Sequence, residues 1–117
     1  MDIIETVWLC ADANAPNVNG YATYVVDQLP PGTSVMACCS LSAFSEGVSY
    51  ENQGNAVGAA SVLIRSWDEF QPDGSIKTYN STALTNNALF INNCASVTFE
   101  LAVNFAWAYA QATVFSV

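Results

Sequence analysis

Hydrophobic and polar residues alternate with a period of two along much of this chain, and clusters of Gly, Pro and Asn interrupt the alternation. This pattern is typical of short β-strands joined by turns. It predicts strands over residues 3–10, 22–29, 34–40, 48–50, 59–67, 76–79, 88–91 and 96–117. About eight strands with connections of this length indicate one all-β domain spanning residues 1–117. We expect an antiparallel β-sandwich or a jelly roll.

Two proline-containing segments mark the ends of predicted strands. The sequence QPDG at 71–74 fits a type I turn, with Pro72 at the second position and Gly74 at the fourth. Pro30 and Pro31 have no backbone N–H to donate, so the corner at 29–32 should lie outside the central part of a sheet.

The last predicted strand is long and has an unusual division of side chains. One parity carries large residues, namely Phe99, Leu101, Val103, Phe105, Trp107, Tyr109 and Phe115. The other parity carries Ala102, Ala106, Ala108, Ala110 and Ala112. Because 22 residues is several times the usual length of a strand, we expect a bend near 108–111. The large side chains should fill the core.

The alanine face of that strand has two interpretations. Either it is covered within the fold, or a second copy of the chain packs against it as an oligomer interface. Membrane insertion is not expected, because Glu100, Asn104 and Gln111 interrupt the apolar run and basic flanks are absent.

The charge balance restricts the partners of the chain. Two basic residues against ten acidic ones give a net charge of −8, which leaves nothing to neutralise a run of phosphates or an anionic membrane surface. Nucleic acid is therefore excluded, whereas neutral sugars, cations and other proteins remain. Residues 1–5 do not form a secretory signal peptide. The low charge and abundant Asn, Ser and Thr resemble extracellular or virion-surface proteins.

The chain offers little for catalysis or for transition-metal binding. It has no His, so a Ser or Cys hydrolase triad is excluded, and it has no Gly-rich phosphate motif. The four cysteines, Cys10, Cys38, Cys39 and Cys94, lack the spacing of a zinc site, and they leave both free thiols and disulfides possible. We expect a non-enzymatic protein without a cofactor.

Two polar segments near aromatic residues are the candidate ligand sites. The first is the Asn-rich loop at 11–20, with Asp12, Asn14, Asn17 and Asn19. The second begins at the end of a predicted strand and contains Trp67, Asp68 and Asp73. Carbohydrate sites pair an aromatic ring with amide and carboxylate groups that bind hydroxyls. A calcium site in the first loop is the alternative, although the loop lacks the helix-loop-helix calcium pattern.

The sequence therefore predicts a lectin-like, non-enzymatic binding module displayed on a homo-oligomer. The alternative is a self-assembling structural protein, such as a viral capsid, fibre or surface-layer subunit.

Overall fold

The computed structural model describes residues 1–15, 17–46, 58–81 and 87–117. Within these ranges the chain forms eight β-strands: β1 (Ile3–Ala13), β2 (Asn19–Val26), β3 (Val35–Glu46), β4 (Ala59–Phe70), β5 (Ile76–Asn80), β6 (Ala88–Ile91), β7 (Cys94–Asn104) and β8 (Ala106–Ser116). The predicted strand at 48–50 lies outside the described residues. No helix long and apolar enough to cross a membrane occurs in the described ranges.

The strands form two four-stranded antiparallel sheets packed as a sandwich. The strand order is β1-β8-β3-β6 in the first sheet and β2-β7-β4-β5 in the second. The first sheet pairs β1 with β8 and β3 with β6, and the second pairs β2 with β7 and β4 with β5, so strands from the two ends of the sequence meet in each sheet. This is the strand order of an eight-stranded jelly roll. The predicted fold class is confirmed.

The core lies between the two sheets and combines large side chains with small ones. Inward positions of β7 carry Val97, Phe99, Leu101 and Val103, whereas those of β8 carry Ala106, Ala108, Ala110, Ala112 and Val114. The large residues of one sheet and the alanines of the other belong to one continuous buried cluster. Pairing large with small side chains lets two sheets pack closely without voids.

The predicted long, bent C-terminal strand is wrong, because residues 94–116 form two strands in different sheets. The chain leaves the second sheet after Asn104 and enters the first at Ala106. Phe105 lies between them with a φ of 43°, in the left-handed region, and its N–H donates to the Val18 carbonyl oxygen at 3.1 Å. Phe105 and Ala106 are both buried. The parity of inward positions therefore reverses at this point, earlier than the predicted bend at 108–111.

This reversal corrects the predicted orientation of the last strand. Trp107 is 38% exposed and Tyr109 is 40% exposed, so neither fills the core as expected. Four alanines of the predicted oligomer interface, Ala106, Ala108, Ala110 and Ala112, are buried within the chain. A second subunit cannot contact them without separating the sheets. The fifth, Ala102, is half-buried on the outward side of β7.

Other local predictions agree with the structure. The Gly74 N–H donates to the Gln71 carbonyl oxygen at 2.9 Å, which closes the predicted turn, and β4 and β5 form a hairpin around it. Gly74 has a φ of 86°, a conformation that glycine adopts without steric cost. The corner containing Pro30 and Pro31 lies between β2 and β3, outside both sheets.

All four cysteines are free thiols. Cys39 and Cys94 are buried, and desolvation raises the pKa of each thiol to about 11. Cys10 is exposed on β1 and Cys38 is half-buried on β3. Since a thiol reacts as its thiolate, Cys10 is accessible to alkylation and the two buried thiols are inert near neutral pH.

The inward orientation of the β8 alanines predicts that added volume at Ala108 destabilises the fold. We expect Ala108→Leu to lower the free energy of unfolding by about 1–3 kcal/mol, because the core has no room for three more carbons. Ala102→Leu, on the outward side of β7, is the matched control and should change it by less than about 0.5 kcal/mol. Urea unfolding measures both. If both variants lose the same free energy of unfolding, the inward position of Ala108 is contradicted.

Candidate functional site

The two groups of predicted ligand residues lie at opposite ends of the sandwich. Asn19 pairs with Asn104 at one end of β7, whereas Glu69 pairs with Cys94 at the other end. The 11 residues of β7 span about 35 Å at the usual rise per residue. The loop after β1 and the hairpin after β4 therefore cannot form a single binding site.

Trp67, Asp68 and Asp73 form contacts that support the hairpin of β4 and β5. The Trp67 ring stacks on that of Tyr79, with centroids 5.7 Å apart, and Trp67 also packs against the core. Asp68 accepts hydrogen bonds from Thr78 Oγ1 at 2.6 Å and from Ser96 Oγ at 3.0 Å. These contacts join β5 and β7 to β4, which gives Asp68 a structural role.

Asp73 binds within its own turn. Its Oδ1 atom accepts hydrogen bonds from the Ser75 hydroxyl at 2.6 Å and from the Ser75 backbone N–H at 2.9 Å. The hydroxyl hydrogen bond, followed by the backbone one, lowers the pKa of Asp73 below its ordinary value of 3.8. A carboxylate that caps its own turn is a common feature of such loops.

The opposite end of the sandwich contains a cleft that includes two of the predicted residues. Its volume is about 190 Å³, and its polar and aromatic lining comes from Asp12, Asn14, Ser45, Glu46 and Trp107. Ala13 and Ala106 complete the described lining. The volume is below the roughly 300–1,000 Å³ of pockets for drug-sized ligands, so the cleft suits one small unit of a ligand.

Strand register brings the lining of the cleft together. Asp12 of β1 and Ser45 of β3 both pair with Trp107, which is the first outward residue of β8. Glu46 pairs with the neighbouring Ala106. The Trp107 ring meets Tyr109 edge to face, with centroids 4.7 Å apart. Trp107 thus lies between an acidic residue of β1 and the end of β3.

Close backbone packing fixes the position of Asp12. Gly20 of β2 lies against the Asp12 carbonyl group so closely that a Cβ atom there would overlap the carbonyl oxygen. Gly58 lies in the same way against the carbonyl group of Phe105. Both glycines allow main chain to approach main chain at this end of the sandwich, which holds Asp12 and the start of β8 in place.

Asn17 and Asn19 do not line the cleft. Asn17 has a φ of 62° in the turn before β2, a conformation that Asn tolerates. The Asn19 Oδ1 atom accepts a hydrogen bond from Asn104 Nδ2 at 2.7 Å, which joins β2 to β7. Among the described residues no group of three His, Cys, Asp or Glu side chains could hold a metal ion.

The sequence pattern identified Asp12 and Asn14 but missed Glu46 and Trp107. Glu46 ends a strand that was predicted to stop six residues earlier. Trp107 was assigned to the core because its parity matches that of Phe99 and Leu101, and the alternation alone does not reveal the switch at Phe105. In the structure, this switch is visible as two consecutive buried residues, Phe105 and Ala106.

Comparison of the chain with family models, with curated proteins and with solved structures found no match. We therefore infer the function from the cleft and from the surfaces of the sandwich.

The turn contact of Asp73 predicts a pH-dependent contribution to stability. Because its folded-state pKa lies below the unfolded value, this contribution is complete above about pH 4 and is lost as pH falls through the folded-state pKa. Ser75→Ala removes the hydroxyl donor, so we expect a lower urea midpoint than the wild type at pH 7. The difference should shrink as pH falls below about 4. Ser40→Ala, at an exposed position on β3, is the control. If Ser75→Ala lowers the urea midpoint by as much at pH 3 as at pH 7, the hydrogen bond to the ionised Asp73 carboxylate is not the cause of the lower midpoint.

Proposed function

We propose that the protein is a non-enzymatic, lectin-like module that binds carbohydrate and is displayed on a homo-oligomer. The observation that carries this proposal is the cleft at the end of β1 and the start of β8, where the Trp107 ring adjoins Asp12, Asn14 and Glu46. The predicted second site around Trp67 is not part of the proposal, because Asp68 and Asp73 already accept hydrogen bonds from neighbouring residues of the chain.

The chemistry of the cleft fits a neutral sugar. A sugar ring presents an apolar C–H face, which an indole ring can cover, and a rim of hydroxyl groups that need hydrogen-bond partners. Asp12 and Glu46 supply carboxylate acceptors, and hydrogen bonds to ionised groups are the stronger kind. Asn14 supplies both a donor and an acceptor.

The charge of the cleft adds selectivity. Its described lining contains two acidic residues and no basic one. Since the whole chain carries −8, sialylated, sulfated or phosphorylated glycans are repelled, and neutral glycans are favoured. A shallow cleft that binds one sugar unit is weak on its own. Display of several copies on an oligomer raises the overall avidity without new contacts.

Removal of one carboxylate from the cleft should weaken the binding of sugar. We expect wild-type protein to be retained on agarose bearing at least one of mannose, galactose or N-acetylglucosamine. Asp12→Ala should weaken the affinity for the retained sugar by about tenfold or more, the equivalent of one charged hydrogen bond of about 1.5–3 kcal/mol. Trp107→Ala should weaken it similarly. Titration calorimetry with the free sugar measures the change.

Asp73→Ala is the matched control, because it removes the same charge at the opposite end of the sandwich. It should bind sugar as the wild type does. Failure of the wild type to bind any of the three sugars, or an equal loss in Asp73→Ala and Asp12→Ala, would contradict the proposal.

A self-assembling structural subunit is the second candidate function. The outer face of the first sheet favours it, because that face carries several exposed aromatic residues and is nearly uncharged. A subunit of a capsid, fibre or surface layer should form large or open-ended species in light scattering and should show no saturable retention on sugar. A lectin-like module should form a small, discrete oligomer and bind sugar.

A further inference from the structure

We propose that a second copy of this chain docks on the outer face of sheet β1-β8-β3-β6, so that two sandwiches pack sheet against sheet around a two-fold axis. The docking surface, here called the aromatic face, comprises Trp8, Cys10, Met36, Phe90, Tyr109 and Phe115. It supplies the self-association that the proposed function includes, and it does not depend on what the cleft binds.

Strand register places these side chains on one side of one sheet. Phe115 pairs with Met36, which in turn pairs with Phe90, so that three apolar residues form a row across β8, β3 and β6. Cys10 pairs with Tyr109 in a second row. Trp8 is 64% exposed and Phe90 is 46% exposed, although both are strongly hydrophobic. Trp8, Gln111 and Ser40 form a row between those two rows, so the apolar residues are interspersed with polar ones. Large exposed apolar side chains gathered on one side of a sheet mark an interaction site.

Electrostatics indicates that the partner is a second copy. The chain carries −8, and its only two basic residues, Arg65 and Lys77, lie in the other sheet. Among the described residues of β1, β8, β3 and β6 on this side of the sheet or at its margin, the charged side chains are Asp12 and Glu46, both at the margin that forms the cleft. Two identical acidic chains can therefore meet here without placing like charges opposite each other. The outer face of the second sheet instead carries Asp68 and Glu100.

The size of the face is sufficient for a reversible dimer. The 11 residues of β8 span about 36 Å, and the three long strands β1, β8 and β3, at about 4.8 Å each, cover a width of about 15 Å. The two copies together then bury roughly 1,000 Å² or somewhat more, at the lower limit for a specific interface. Such a dimer should dissociate on dilution. The geometry is that of aligned sheets about 10 Å apart, with the same patch on each copy.

The small residues between the aromatic ones keep the surface flat. Thr6 and Thr113 lie opposite each other on β1 and β8, with their hydroxyl oxygens 3.4 Å apart, and Cys38 pairs with Thr113. The Cys38 thiol donates to the Thr113 carbonyl oxygen of its own sheet. The hydroxyls of Thr6 and Thr113 and the Cys38 thiol have partners within the chain, so covering these three groups costs little.

The test is the mass of the native chain by sedimentation equilibrium over a dilution series. Wild-type protein should rise from 12.5 kDa towards twice that value as concentration increases. Trp8→Arg places a bulky cation on the aromatic face and should weaken association at least tenfold. Tyr21→Arg is the matched control, because Tyr21 is also 64% exposed but lies on β2 of the other sheet, and it should associate as the wild type does.

A second measurement leaves Trp8 unchanged. In a Cys38→Ser background, Cys10 is the one exposed thiol, since Cys39 and Cys94 are buried. Its alkylation by iodoacetamide should slow several-fold from the lowest to the highest protein concentration. A mass of 12.5 kDa at every concentration, a rate independent of concentration, or equal weakening by Tyr21→Arg would each overturn the proposal.

The sugar-binding readout separates this proposal from the proposed function. Trp8→Arg should bind sugar in free solution with the affinity of a single wild-type site, and Asp12→Ala should associate as the wild type does. A chain that associates but binds no sugar keeps the docking surface and refutes the cleft. A chain that binds sugar but never associates keeps the cleft and refutes the docking surface.

Discussion

The crossing of the chain from one sheet to the other at Phe105 is the constraint on which the rest of the structure depends. Residues before it point their large side chains into the sandwich, and residues after it point alanines inward. Both strands belong to the middle of their sheets, β7 between β2 and β4 and β8 between β1 and β3. The switch of the buried parity at this one residue therefore decides which side chains fill the centre of the core and which face solvent.

The outward position of Trp107 and Tyr109 follows from that reversal. Because alanines occupy the inward positions of β8, the aromatic residues of the same strand must face out, and there they meet side chains of β1 and β3. The cleft and the aromatic face are thus two regions of one surface. The cleft adds acidic groups at the end of the strands, whereas the aromatic face is nearly free of charge. This division is consistent with a ligand at the margin and a second copy over the middle.

Much of the fold could be predicted from the sequence because period-two alternation and turn residues are local signals. The strand at 88–91 and the turn at 71–74 were placed correctly, and β4 and β5 were found with small errors at their ends. The sandwich class follows from the number and spacing of such segments. Alternation, however, gives the period and leaves open which parity is buried. The long C-terminal run keeps its alternation across Phe105, so its sequence shows no break where the buried parity reverses.

The site was less predictable, since its parts are distant in sequence. Asp12 and Trp107 are neighbours only because β1 pairs with β8, and Glu46 joins them through the pairing of β3 with β8. The composition of the segment around Trp67 favoured a ligand site as much as that of the loop around Asp12. Only the hydrogen bonds of Asp68 and Asp73 show that these carboxylates stabilise the hairpin and its neighbours.

The most direct test of this account is hydroxyl-radical footprinting of the dilute native chain, with oxidation measured residue by residue. The account predicts rapid oxidation of Trp107 and Tyr109, at rates comparable with that of Trp8, and protection of Phe99 and Phe105. Protection of Trp107 to the same degree as Phe99 would show that the aromatic parity is buried throughout, and would contradict the crossing at Phe105.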